Sequence, residues 1–171
     1  MTRAKTTALA KTGRRDLRII GGVWRSRKIQ FLDLPGLRPT PDRVRETVFN
    51  WLQLALAGQH VLDVFAGSGA MGFEALSRGA ASLTLLERDP QQAACLREQA
   101  AKLEAASCQV LCVDSVRWLQ DAQAPAAGYG LIFLDPPFHL GVVDEILQRL
   151  AQKGWFAQTR WVYVETELAL T

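Results

Sequence analysis

Long hydrophobic runs are absent from this chain. No uninterrupted apolar stretch among its 171 residues approaches the ~20 needed to cross a bilayer as a helix, so no membrane partner is expected. The opening stretch, MTRAKTTALAKTGRR, has no apolar segment and does not read as a secretory signal. It is basic and free of acids, which leaves an organellar transit peptide or, the reading adopted, a flexible basic arm over residues 1–17. Cysteine is scarce. Cys95, Cys108 and Cys112 are an odd set without a framework, which excludes a disulfide-built secreted fold. No His or Cys partner set completes a zinc site, so no metal is expected and the three read as buried small hydrophobes. Acids are short at one end only. Residues 1–45 hold 12 Lys/Arg against 3 Asp/Glu, whereas residues 46–171 hold 8 against 14. A basic third on an acidic body points to an anionic partner docked at one end, nucleic acid before a plain solvated charge run.

What is present suits a single domain with a real core. LRIIGGVWRSRKIQFL reads as two short strands around a Gly-rich turn, with Arg25, Arg27 and Lys28 on or beside the ribbon. A helix follows, with Thr40 expected as its N-cap, Pro41 as its first residue, and Val44, Val48, Trp51 and Ala55 as its apolar stripe. From residue 60 strands and helices alternate. HVLDVF, SLTLLE, CQVLCV, YGLIFL and RWVYVET are the strands, near-continuously apolar. That pattern implies an α/β fold with a doubly wound, mostly parallel sheet covered on both faces. Ligands in such sheets bind at the carboxyl ends of the strands, near the point where strand order reverses. Four acids fall there: Asp63, Glu87, Asp114 and Asp135.

VLDVFAGSGAMG places Gly67, Gly69 and Gly72 in a G-x-G-x-x-G turn between strand and helix. Binders of NAD, FAD and S-adenosylmethionine share that turn. Glu87, 20 residues beyond Gly67, can accept both ribose hydroxyls. Asp63 tips the balance. A carboxylate beside an anionic pyrophosphate costs energy, but one beside the sulfonium and ammonium of S-adenosylmethionine helps. Asp63 could equally shape the turn through loop amides, and both roles can coexist. Asp89 reads as a helix cap. For Asp114 and Ser115, a cap and a contact to an adenine edge stand level.

FLDPPFH, residues 133–139, ends a buried strand in an acid, two prolines and an aromatic. Asp135 offers a carboxylate. Pro136 keeps its carbonyl but has no amide donor, and Pro137 stiffens the loop. Phe138 offers a flat face on which a base can stack. Together these residues can hold an exocyclic amine on a planar ring. Two acceptors drawing its N–H groups out of plane favour a pyramidal nitrogen whose lone pair can attack a sulfonium methyl. Catalysis would then be positioning and electrostatics, without metal or covalent intermediate. His139 reads as an exposed neighbour rather than a catalytic group.

LRPTPDRVRETVFNWL, LDVFAGSGAMGFEALSRGA, LLERD and FLDPPF together resemble the RsmD family, from about Arg18 onward. Its members are bacterial 16S rRNA guanine-N2 methyltransferases of the Rossmann-like class I type. The resemblance implies S-adenosylmethionine as cofactor, with Asp63, Phe65, Gly67 and Gly69 at its methionine end. It implies Glu87 at the ribose, Asp114 and Ser115 near the adenine, and Asp135 to Phe138 at the target base. Arg38, Pro39 and Thr40 would border the cofactor and substrate entrance. Arg18, Arg25, Arg27, Lys28, Arg38, Arg43 and Arg45 would meet RNA, although Arg43 and Glu46 could be a helix surface pair. The implied partner is 16S rRNA in an assembled or partly assembled small ribosomal subunit, met by a monomer in the bacterial cytoplasm.

Residues 18–58 would form the ribbon and helix, and residues 59–171 the cofactor-binding core. The sheet of this superfamily has seven strands, and a C-terminal strand hairpin is expected to be missing here. Such a chain is expected to melt below a version carrying the hairpin; equal melting temperatures would count against that. Three rival readings stay open: a DNA adenine-N6 or cytosine-N4 methyltransferase, a nicotinamide oxidoreductase, and a non-catalytic RNA-binding assembly factor.

Overall fold

Two antiparallel strands open the fold. The computed structural model describes residues 13–166. Strands β1 (Arg14–Arg18) and β2 (Lys28–Leu32) pair from Arg14 opposite Leu32 to Arg18 opposite Lys28. β1 thus begins inside the stretch expected as a free arm: residues 14–17 belong to the ribbon, and residues 1–12 of that arm lie outside the described residues. The ribbon buries Leu17, Ile19, Ile29, Phe31 and Leu32, enough apolar surface to pin it to the body.

Helix α1 (Asp42–Leu52) departs from expectation in two ways. Its N-cap is Pro41, with no side-chain cap bond, so Thr40 lies outside the helix and is buried. Its inward face is also rotated by one residue. Arg45, Val48, Phe49 and Leu52 are buried, while Val44 and Trp51 face solvent. The cause is a partner that periodicity cannot show, a buried carboxylate on the next helix.

Five parallel strands form the sheet: β3 (His60–Asp63), β4 (Ser82–Glu87), β5 (Cys108–Cys112), β6 (Leu131–Leu134) and β7 (Trp161–Val164). Their spatial order is β5-β4-β3-β6-β7. The period-two alternation of side chains splits the core into two layers. Val61, Leu83, Leu85, Leu131 and Phe133 face α1, α2 (Ala70–Ser77), α3 (Pro90–Lys102) and the ribbon. Leu62, Val64, Leu86, Ile132 and Leu134 face α4 (Ser115–Asp121), α5 (Val143–Gln152) and the short 3-10 turn Trp155–Ala157. α3 carries its expected apolar face, Ala93, Leu96, Ala100 and Leu103, and Asp89 caps it by accepting from the Gln92 amide at 2.8 Å. Because β5 is an edge strand, Cys112 is exposed and Cys108 only half-buried, where burial was expected of both; Cys95 is buried, and none of the three is bonded to another. Among the described residues no helix is long and apolar enough to cross a membrane.

Buried polar side chains weld the ribbon to this sheet. The Glu74 carboxylate on α2, fully buried, accepts from the Ile20 amide at 2.9 Å and the Gly21 amide at 2.8 Å. It also pairs with Arg45 at 3.3 Å and Arg78 at 2.8 Å. Gly22, at φ 78, lies so close that a Cβ there would meet the Ser77 carbonyl carbon and oxygen, which excludes other residues. Gln92 and Gln99 on α3 each take an amide proton of β2, from Leu32 at 2.9 Å and Gln30 at 3.0 Å.

Breaking a buried ion pair from one side strands a charge and typically costs about 3–5 kcal/mol. Glu74→Ala, which leaves Arg78 without its carboxylate and Arg45 with only the exposed Asp42, is expected to lose that much in urea unfolding. A loss below about 1 kcal/mol would show that the weld is not a stability element.

Candidate active site

The sheet's strand order reverses at β3 and β6, neighbours joined with Asp63 opposite Phe133. β3 leads to β4 on one side, while β6 lies on the other, so the loops leaving them part and open a crevice. Two carboxylates meet there. Asp63 ends β3 and is almost wholly buried; Asp135 follows β6 and is half-buried. Burial, and then the charge of Asp135, raises the Asp63 pKa to about 7, against the opposing pull of the Phe65 and Gly72 amides. Burial, and then Glu165, raises Asp135 to about 6, with the Thr40 hydroxyl favouring the carboxylate. A rim so crowded with acids repels anions and attracts a cation.

The glycine turn stands over this crevice with its three glycines in different roles. Gly67 and Gly69 have φ of 50° and 79°, conformations that side chains rarely adopt. A Cβ on Gly67 would meet nothing closer than 3.9 Å, so its backbone borders open space that a ligand could approach. A Cβ on Gly72 would strike Leu85 at 2.6 Å, which makes this glycine a helix–sheet packing residue.

Glu87, expected at a ribose, shapes the turn. One oxygen accepts from the Gly67 amide at 3.1 Å and the other from the Asp89 amide at 2.8 Å, leaving a further acceptor site on each. Burial raises its pKa as well. Phe65, half-buried, packs against the second core layer. Asp114 is exposed and caps α4 by accepting from the Arg117 amide at 3.0 Å, which realises its cap reading. Ser115 is buried and its hydroxyl donates to the Val64 carbonyl, so that proton anchors the loop after β3.

After Asp135 the chain turns outward. Pro136 is half-buried, Pro137 and His139 are exposed, and Phe138 is 61% exposed, a large apolar face presented to solvent at the crevice mouth. The basic residues sort into three groups. Arg18, Arg25, Arg38 and Arg43 are exposed and pair with no carboxylate among the described residues. Arg27 and Lys28 are exposed but engaged, Arg27 with the Lys102 carbonyl at 2.6 Å and Lys28 with Asp16 at 3.7 Å. Arg45 is 1% exposed. Buried so, it has no surface to offer RNA as expected, and its donors are taken by Glu74 and Asp42 and by the carbonyls of Arg18 and Thr40.

Three side chains at or behind the site were not foreseen. Glu165 follows β7 and accepts from the Tyr163 hydroxyl at 3.0 Å, making a fifth strand-end acid. The pattern that picked out the other four would have found it. Gln92 donates to the Gly67 carbonyl at 2.7 Å while holding β2, so it ties the ribbon to the glycine turn. Glu74 belongs to the same hidden class. Among the described residues no group of three His, Cys, Asp or Glu side chains could hold a metal.

A family model described as conserved hypothetical protein 95 matches residues 17–171. The chain is 44% identical over 157 residues to ribosomal RNA small subunit methyltransferase D of Escherichia coli K12, covering 92% of this chain and 78% of that protein. The chain belongs to the RsmD family. The protein of the same name from Haemophilus influenzae is 42% identical over 89% of this chain and 79% of its own length. The solved yhhF structure of Escherichia coli superposes on this RsmD-family chain with a TM-score of 0.79 and 41% identity, covering 92% and 85% of the two chains. The five-stranded parallel sheet is thus that of a class I methyltransferase.

The raised pKa of Asp63 carries a stability consequence. Folding takes up a proton wherever pH lies between about 3.8 and about 7, so unliganded stability falls as pH rises across that window. Asp63→Asn is therefore expected to stabilise the unliganded protein at pH 8, by on the order of 2–4 kcal/mol, with the gain closing toward pH 4. Urea unfolding at both pH values checks this. A variant no more stable than the parent at pH 8 would mean that the Phe65 and Gly72 amides fully compensate the buried charge.

Proposed function

We propose that this protein transfers the methyl group of S-adenosylmethionine to the exocyclic N2 amine of a guanine in 16S rRNA, on an assembled or partly assembled small subunit. The observation that carries the reading is the placing of two carboxylates at neighbouring strand ends, Asp63 at the end of β3 and Asp135 just after β6, near enough to repel one another, with Phe138 exposed three residues beyond the second. Its relatives' names, ribosomal RNA small subunit methyltransferase D, support the substrate class.

The residues present fit the cofactor. The open backbone at Gly67 leaves room for it, and the buried, acid-rich rim suits a sulfonium and an ammonium better than a pyrophosphate. Asp63 would hold the methionine end, Glu87 the ribose through its remaining acceptor sites, and Asp114 the adenine edge. When bound, the cofactor supplies an electrophilic methyl group. Everything else falls to the chain. Phe138 stacks on the target base, and the Asp135 carboxylate and Pro136 carbonyl accept hydrogen bonds from the two amine N–H groups, one of whose protons leaves to solvent once the nitrogen carries the methyl group. They thereby favour the pyramidal nitrogen that can attack. The exposed cations Arg18, Arg25, Arg38 and Arg43 would hold RNA phosphates, with Arg27 and Lys28 in support.

Asp135 is a charge-assisted acceptor, able to steady the positive charge that develops on the attacking nitrogen, only when ionised, so kcat/KM should fall as pH drops through about 6. The test uses S-adenosylmethionine labelled on its methyl group, with unmodified small subunits, naked 16S rRNA or duplex DNA. Label is expected on guanine N2 in subunit RNA. Asp135→Ala should reduce it at least about 100-fold, and Phe138→Ala should cost about 1–3 kcal/mol, chiefly in KM. Label on DNA amines, or none despite cofactor binding, would overturn the reading.

A further inference from the structure

Gln92 and Gln99 lie two turns apart on α3, on the face turned to the ribbon, and both are buried. Their side-chain oxygens do the same work. Each accepts an amide proton of β2, from Leu32 at 2.9 Å for Gln92 and from Gln30 at 3.0 Å for Gln99. Their nitrogens differ. Gln99 Nε2 has no partner among the described residues, so holding the strand asks only for the acceptor. Gln92 Nε2 donates to the Gly67 carbonyl at 2.7 Å. That bond closes a ring. The Gly67 amide donates to Glu87 at 3.1 Å, the other Glu87 oxygen accepts from the Asp89 amide at 2.8 Å, and Asp89 accepts from the Gln92 amide at 2.8 Å. Both polar groups of Gly67 are thus held by side chains while its backbone sits at φ 50°, and its Cα faces the open space beside the turn.

We propose that Gln92 is a positioning residue for cofactor binding: with one side-chain amide it fixes the peptide after Gly67 in the shape that admits the cofactor, and it makes that shape depend on how the ribbon is seated. The proposal rests on the reading of the crevice as an S-adenosylmethionine site. A glycine has wide backbone freedom, so a turn without the Gln92 donor must be ordered by the cofactor itself, and that ordering is paid in affinity. With the donor in place, the turn is ordered when the chain folds. The same amide group reaches β2 at its other end. A change at the turn is therefore felt at Leu32, and a change in the seating of the ribbon is felt at Gly67. Gln99 has the first of these bonds without the second, which makes it the natural control.

The test uses the full chain and S-adenosylhomocysteine, the cofactor without its methyl group, so binding is read without turnover. Gln92→Met and Gln99→Met each keep the side chain's length and lose its hydrogen bonds. In calorimetry, Gln92→Met is expected to bind S-adenosylhomocysteine about tenfold more weakly than the parent, and Gln99→Met within about twofold of it. In the methylation assay the KM for the cofactor should rise in Gln92→Met while kcat stays near the parent value. A purely structural role would lower both melting temperatures and leave both affinities alone. Amide NMR reads the relay itself. In the parent, S-adenosylhomocysteine should move the Leu32 resonance and leave that of Gln30 nearly still; in Gln92→Met the Leu32 response should vanish. Without ligand, hydrogen exchange at the Gly67 amide should speed up about tenfold in Gln92→Met and keep the parent rate in Gln99→Met. Equal affinity losses in the two variants would overturn the proposal. So would a parent Leu32 no more responsive than Gln30, a comparison that stands even if Gln92→Met fails to fold. Binding by the parent with unchanged affinity in Gln92→Met defeats the proposal and leaves the cofactor reading standing. A parent that binds no S-adenosylhomocysteine defeats the cofactor reading and the purpose assigned to Gln92, while the Gly67 exchange rates still show whether the glutamine holds the turn.

Discussion

A carboxylate in a protein interior must be met by donors and counter-charge, or it will not stay ionised. Glu74 is such a group, and much of the structure around it answers that demand. Two backbone amides of the ribbon turn toward it, so the loop after β1 follows a fixed path. Arg78 closes one side and stacks over Phe49 at 5.2 Å. Arg45 closes the other, which rotates α1 until Phe49 meets Phe133 at 5.9 Å. Phe133 belongs to the strand that ends beside Asp135. One buried charge on α2 thus sets the ribbon, the helix and the approach to the crevice together.

The crevice runs on the opposite economy. Asp63 and Asp135 are buried or half-buried without a cationic side chain to neutralise them, and each is pushed toward its neutral form. Asp63 takes the Phe65 and Gly72 amides, but an uncharged acceptor at that strand end would do so without the cost of a buried charge. Strain of this kind, unrelieved by the protein itself, is what a cationic ligand can relieve on binding. The contrast with Glu74 separates the two classes of buried acid. One is met by donors and counter-charge from the protein; the other is left without counter-charge.

Legibility followed the range of the forces involved. The five strands, the glycine turn and the strand-end acids were readable because alternation, Gly and acid-after-strand signals are local. Asp89 was readable as a cap for the same reason: its partner, Gln92, is three residues away. Arg45 was misread because its decisive partner, Glu74, is 29 residues away on another helix. A basic residue in a basic segment looks like an RNA contact until its partner is known. Thr40 was misplaced because the chain enters α1 one residue later, at Pro41, which leaves the Thr40 side chain buried before the helix rather than over its first amides. Gln92 and Gln99 carried no signal at all, since a buried glutamine serving a strand edge looks the same in sequence as a surface one.

The separation of the arginines by burial bears on how RNA could reach the site. A fully paired, buried guanidinium keeps its geometry whatever binds outside, whereas an exposed one without a carboxylate partner has donors to offer at little desolvation cost. Arg38 and Arg43 are of the second kind, Arg45 of the first, and all three lie within eight residues of chain around Thr40. The exposed pair can therefore sense a phosphate while the buried one keeps the segment anchored to Glu74. Anchored so, the segment cannot swing away as a rigid arm. A load applied at Arg38 or Arg43 is resisted at Arg45, through its bonds to Glu74 and to the Thr40 carbonyl. Phosphates held at Arg38 and Arg43 would bear on a segment that cannot yield without breaking a buried ion pair, which favours recognition by a preset surface over recognition by rearrangement.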